Sequence, residues 1–194
     1  MKVLVLYSEM AGYFLACVKH HVAHYGGEFH IVRWPVNPEA PFQFGDEAGI
    51  TYYDRRDLND ADLLALAKRL QPDLVYIAGW IDRPYLIVGR YFRQQNVPVI
   101  AAFDAQWQGS TRQKIATTVS SLLLRPAFSH AWVPGLWQYE YARRLGFSRD
   151  RIRTGMYAAD TQAFEAVHFR TRKAKNDHYP HRFLYVGRLH EIKG

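Results

Sequence analysis

The chain has 194 residues, 48% of them hydrophobic and 22% charged, a balance that excludes global disorder and suits one domain with a substantial core. Its formal net charge is +7, with many arginines in the second half, which suits phosphates, nucleic acid or an anionic membrane surface and is equally common on ordinary soluble domains. The single cysteine, Cys17, excludes an internal disulfide, and the apolar run Val3-Leu4-Val5-Leu6 is too short for a secretion signal or a membrane span, so the expected location is cytoplasmic.

Short aliphatic runs alternate with longer stretches of helical period. Residues 2–7 read as a buried strand. Ala11, Phe14, Leu15, Val18, Val22 and Tyr25 then recur at helical spacing, and Gly26-Gly27 supplies a left-handed stop. A second strand is expected over 29–33, a loop rich in Pro, Gly and Phe over 34–49, and a short strand over 50–53. The helix expected over 59–70 carries Asp60 and Asp62 in its first turn and Lys68 and Arg69 in its last, which complements its macrodipole. Leu63, Leu66, Ala67 and Leu70 form its buried stripe, and Pro72-Asp73 ends it.

Leu74-Val75-Tyr76-Ile77-Ala78 is apolar on both faces, as a central parallel strand requires. Pro84 opens a helix over 85–95. There follow a strand over 97–103, a helix over 113–124, a strand over 128–133, a helix over 136–145 capped by Gly146, and a last short strand over 151–154. This alternation predicts a Rossmann-like, doubly wound α/β domain: a parallel sheet with helices on both faces. That domain is expected to span 1–167. Residues 168–181 are polar and basic and read as a linker, and residues 182–194 read as the opening strand of a second α/β domain that is cut short at Gly194.

In such a sheet, ligands bind beyond the carboxyl ends of the strands, near the reversal of strand order. Four loops fall there, and two of them pair a tryptophan with a carboxylate: Gly79-Trp80-Ile81-Asp82 and Phe103-Asp104-Ala105-Gln106-Trp107-Gln108. A flat ring beside hydrogen-bonding groups suits a sugar or polyol, although either tryptophan serves equally well to pack its loop. Other chemistries lack their motifs. The first turn has Gly12 but no G-x-G-x-x-G, and Arg33 stands where a ribose-binding acid is expected. No Walker lysine or G-x-S-x-G elbow is present. His20 and His24 share a helical face but lack the glutamate of H-E-x-x-H, so no metal is expected. The basic run Arg172-Lys173-Ala174-Lys175 has no interleaved aromatics, which argues against nucleic acid.

Gly187-Arg188-Leu189 followed by Lys193-Gly194, directly after a buried strand, resembles the start of the donor-binding domain in GT-B glycosyltransferases of family 4. Ala158-Ala159-Asp160-Thr161-Gln162-Ala163-Phe164 is similar to that family's Gly-Val-Asp-Thr-x-x-Phe segment. His130-Ala131-Trp132-Val133-Pro134, with Arg144-Leu145-Gly146 after it, is similar to the strand–helix unit before that segment. The chain departs from the pattern at Gly12, the remnant of a glycine-rich first loop. It departs again at Asp104, where many members place a histidine.

The resemblance implies the acceptor-side domain of an enzyme that transfers a sugar from a nucleotide-sugar, with retention and without a metal or other cofactor. It implies that Arg188, Lys193 and the backbone near Gly12 meet the donor's diphosphate. Asp104 is then the expected catalytic residue, and Tyr13, Trp80, Asp82, Trp107 and Gln108 line the cleft for a sugar, polysaccharide or lipid-linked acceptor. Residues 1–194 alone are expected to be inactive. The alternatives are a non-catalytic ligand- or partner-binding module and, more remotely, an epimerase or phosphorylase of the same architecture. Lys114 with Leu122-Leu123-Leu124-Arg125 forms a basic, apolar helix end suited to peripheral membrane contact, or else a core-facing stripe.

Overall fold

A computed structural model describes residues 1–36, 44, 45 and 47–177. The strands are β1 (Lys2–Tyr7), β2 (Glu28–Arg33), β3 (Ile50–Asp54), β4 (Leu74–Ala78), β5 (Val99–Ala102), β6 (His130–Trp132) and β7 (Ile152–Arg153). They form one sheet in the order β3-β2-β1-β4-β5-β6-β7, parallel at every junction. The helices are α1 (Gly12–Tyr25), α2 (Asp60–Leu70), α3 (Arg83–Gln94), α4 (Thr111–Leu123), α5 (Leu136–Arg144) and α6 (Thr161–Asp177). This is the expected doubly wound, Rossmann-like sheet, with its strand order reversing between β1 and β4.

Two apolar layers hold it together. On one face, Leu4, Leu6, Val75 and Ile77 of the sheet pack against Leu63 and Leu66 of α2, Val88 and Phe92 of α3, and Tyr141 and Ala142 of α5. On the other, Val3, Val5, Ile31 and Tyr76 pack against Leu15 and Val18 of α1. Alternate residues of β1 thus serve opposite layers, which is why its whole run is apolar.

Local chemistry sets the helix ends. Asn59 caps α2 by accepting from the backbone N–H of Ala61 and of Asp62, each at 2.9 Å. Ser110 caps α4 by accepting from the N–H of Gln113 at 3.3 Å. In the middle of α3, Gly89 permits a close approach: a Cβ there would stand 2.9 Å from the carbonyl oxygen of Ala127 and 3.2 Å from Cδ1 of Ile77.

The chain divides into two compact units, Met1–Ala159 and Asp160–Gly194. Residues 168–177, read above as linker, are helical and complete α6. That helix buries no residue, so it lacks the apolar stripe by which a helix is legible in sequence. The expected opening strand of a second domain, 182–194, lies outside the described residues. Among the described residues, no helix is long and apolar enough to cross a membrane. At the end of α4 the leucines divide: Leu124 is buried, whereas Leu122 is 75% and Leu123 49% exposed.

Candidate functional site

The carboxyl edge of the sheet gathers two separate constellations. The first centres on Asp82, at the entrance to α3. Its Oδ2 accepts from the indole N–H of Trp34 at 3.0 Å and from Nε of Arg55 at 3.1 Å. The Asp82 side chain is only 8% exposed, and that of Arg55 17%. Arg55 also donates to Asp60 at 3.0 Å and to the carbonyl of Leu58. One carboxylate therefore ties together the segments that leave β2, β3 and β4. Asp82, expected to line an acceptor cleft, has its Oδ2 fully engaged by protein donors.

The loop tryptophans are half-buried. Trp80 meets Phe103 edge to face with centroids 5.0 Å apart, and Trp107 lies 5.8 Å from Tyr141. Arg144 stacks over Trp107 at 4.6 Å. Each ring thus has at least one face packed against protein. The loop between them is fixed by Gln113, whose amide donates to the carbonyl of Gln106 at 2.6 Å and whose Oε1 accepts from the N–H of Gln108 at 2.8 Å. This orders Gln108, which remains exposed, together with Asp104.

The second constellation lies at the strand-order reversal and is built of tyrosines around Asp104. The hydroxyl of Tyr157 donates to Asp104 Oδ2 at 3.0 Å. The Tyr157 ring meets that of Tyr13 edge-on at 5.2 Å. Tyr7 stacks on Tyr76 with ring centroids 6.1 Å apart. Gln138 donates to the Asp104 carbonyl at 3.1 Å and so anchors the backbone that carries the carboxylate. Among the described residues, Asp104 Oδ1 has no hydrogen-bond donor, which makes it an open acceptor on an exposed residue.

The electrostatics of this cluster favour hydrogen-bond donation over base chemistry by the tyrosines. Burial, and then the bond to and charge of Asp104, raise the Tyr157 phenol far above its ordinary range. Burial is also the main cause that raises Tyr7 and Tyr76. The phenols stay protonated. Gly12 opens α1 beside the cluster. Its N-cap is Ala11, which contributes no side-chain bond, and the first turn holds no acid; the N–H of Phe14 donates to the Ala11 carbonyl at 3.1 Å, which leaves those of Gly12 and Tyr13 ahead of the helix's own ladder.

Sequence reasoning placed Asp104, Tyr13 and Gly12 at this edge, with Tyr7 at the start of the same first loop but given no role, and did not find Tyr157 or Tyr76. The strand-end rule that selected the other loops also covers the segment after β7, where Tyr157 stands, and would have found it. Arg188 and Lys193 lie outside the described residues. The rings of His20 and His24 stack at 3.9 Å, and among the described residues no group of His, Cys, Asp and Glu is arranged to hold a metal ion.

No protein-family profile matches the chain, and no curated protein matches it by sequence. Among solved structures it is similar to a sucrose-phosphate synthase from Thermosynechococcus elongatus, at 14% identity and a TM-score of 0.48, over 91% of this chain and 99% of that one. It is similar to the enzyme WbmH of Bordetella bronchiseptica in complex with NAD+, at 11% identity and a TM-score of 0.39, over 95% of this chain and 86% of that one. A short-chain dehydrogenase/reductase from Veillonella parvula aligns at 12% identity and a TM-score of 0.35, over 66% of this chain and 59% of that one.

Proposed function

We propose that residues 1–159 form the acceptor side of a glycosyltransferase that moves a sugar from a nucleotide-sugar to a hydroxyl-bearing acceptor. The observation that carries this reading is the Asp104–Tyr157 pair beside the Tyr13 ring, at the sheet's strand-order reversal. A sugar offers a C–H face and a rim of hydroxyls. Tyr13 and Tyr157, each about two-fifths exposed, supply ring surface, and Asp104 Oδ1 supplies a charged acceptor for a hydroxyl proton. A carboxylate that accepts this hydrogen bond holds the hydroxyl for attack on the face of the anomeric carbon from which the diphosphate departs, and the hydroxyl proton passes to the departing phosphate oxygen, so that one bond forms as the other breaks with retention.

In this reading the leaving diphosphate is neutralised by Arg188 and Lys193, the residues of the Gly-Arg-Leu/Lys-Gly resemblance, with the first N–H groups of α1 near Gly12 as further donors. Transfer occurs with retention and without a metal or cofactor, and it belongs to the intact enzyme. Trp80, Trp107 and Gln108 shape the acceptor wall, while Asp82 braces it from behind. The exposed Leu122 and Leu123, with Lys114 and Arg125, provide peripheral membrane contact if the acceptor is lipid-linked.

The test is a backbone-amide titration with simple glycosides and a panel of nucleotide-sugars. Glycosides are expected to shift Tyr13, Asp104 and Tyr157 saturably, with no turnover by residues 1–194. Shifts confined to other surfaces would remove the assignment. Saturable glycoside binding by an intact enzyme that transfers nothing would favour a non-catalytic binding module.

A further inference from the structure

We propose that the opposite, amino-terminal edge of the sheet carries a second binding site, a groove that takes the phosphate group of a phosphate monoester. The groove has a volume of about 630 Å³, within the range of small-molecule sites. It lies where α3, α4 and α5 end and β6 begins. Arg93, Arg125 and Arg151 line it, with Ser121 and Ser148 as hydroxyl donors and the buried rings of Phe128 and Phe147 as its apolar floor.

Three positive charges stand here against one lining carboxylate. Asp150 is 77% exposed and approaches Arg151 only to 3.9 Å. Arg93 and Arg125 form no ion pair among the described residues. Arg125 passes close over Gly146: its Cδ lies 3.3 Å from where a Cβ on Gly146 would stand, and Gly146 has φ +92°. Any side chain at Gly146 would press on it.

The simpler role for arginines at this edge is to neutralise helix carboxyl ends. Arg93 stands in the last turn of α3, but at the ends of α4 and α5 other arginines fill that role: Arg90 donates to the carbonyl of Leu123, and Arg143 to that of Phe147 at 2.6 Å. The surplus charge is felt next door. His130, held through Nδ1 against Ser129 at 2.8 Å, is lowered first by burial and then by Arg151, Arg153 and Arg93, while only Asp150 opposes them. An apolar floor beneath guanidinium groups strengthens their hold on a dianion, and the planar guanidinium suits paired phosphate oxygens.

The experiment titrates the whole chain with inorganic phosphate and with glycerol 3-phosphate at constant ionic strength, following backbone amides. Saturable shifts are expected at Ser121, Gly146 and Ser148, and the R93Q/R125Q double variant should weaken binding by about tenfold or more. R125Q alone, at an exposed position, provides the same comparison if the double variant does not fold. A third arm uses vesicles containing phosphatidic acid against vesicles of phosphatidylcholine alone. Arginine-dependent binding of the soluble ester assigns a soluble ligand, and arginine-dependent flotation without it assigns a lipid headgroup; both support the site. Absence of binding in every arm, binding unchanged in the variants, or shifts centred on Gly12 and Tyr13 overturn it. The last of these would still leave the glycosyltransferase reading standing.

Discussion

Asp82 Oδ2 accepts from Arg55 Nε at 3.1 Å across 27 residues of sequence, and the same oxygen holds the indole of Trp34 at 3.0 Å. The pair bolts together the carboxyl ends of β2, β3 and β4 immediately beside the candidate site. Removing the carboxylate strands a largely buried guanidinium and an indole N–H. Asp82→Ala is expected to cost about 3 kcal/mol, the low end for a broken buried pair, because Arg55 keeps Asp60. Asp82→Asn, which keeps an acceptor oxygen, should cost less. Urea unfolding of both variants measures this, and a D82A chain as stable as the parent would contradict a bracing role.

The Tyr157–Asp104 bond makes a spectroscopic prediction. Burial alone raises Tyr157 substantially, but Asp104 adds both a hydrogen bond and a charge. Asp104→Asn should therefore bring one additional tyrosine into titration at lower pH in a tyrosinate absorbance curve. Tyr157→Phe should remove that same group. If the D104N curve overlays that of the parent, the bond is not made in solution.

For acceptor binding, Asp104→Ala should reduce glycoside affinity by about tenfold, the loss of one charge-assisted hydrogen bond. Asp82→Asn, which leaves the Tyr13–Tyr157 surface intact, should alter it little. Equal losses in both variants would mean that the effect travels through folding and not through contact.

Gly89→Ala sets two effects against each other. A helix interior gains up to about 1 kcal/mol from alanine. The added Cβ would meet the Ala127 carbonyl oxygen at 2.9 Å and Ile77 at 3.2 Å, and backbone cannot swing aside as a side chain can. Overpacking of this kind costs about 1–3 kcal/mol, so the variant should be less stable than the parent. A lower urea midpoint at unchanged slope is the expected outcome.

Stability should fall on mild acidification. His30 and His130 are both lowered from 6.5 mainly by burial, His30 further by Lys2 and His130 further by Arg151, Arg153 and Arg93. Below that value the unfolded chain binds more protons than the native one, so stability declines as pH drops through it and levels off beneath the native pKa values. His130→Asn should flatten the decline in melting temperature between neutrality and about pH 5. An unchanged slope would show that His130 already titrates freely.

Much of the fold was legible because its signals are local. The unbroken apolar run of β4, the Asn59 cap with acids behind it and the helical spacing of Leu15 and Val18 each act within a few residues, so composition and period suffice to read them. By the same logic α6 was missed, since a helix with no buried face leaves no period to detect. The candidate site was only half legible. The strand-end rule reached Asp104 and Gly12, but the partner of Asp104 stands 53 residues away, and Trp34 lies 48 residues from Asp82. Sequence alone determined that these strands alternate with helices in a parallel sheet and which loops leave its carboxyl edge. Only the tertiary structure decided that Asp82 faces inward to Arg55 while Asp104 faces outward beside two tyrosines, because strand order, set by packing the whole core at once, brings those ends together.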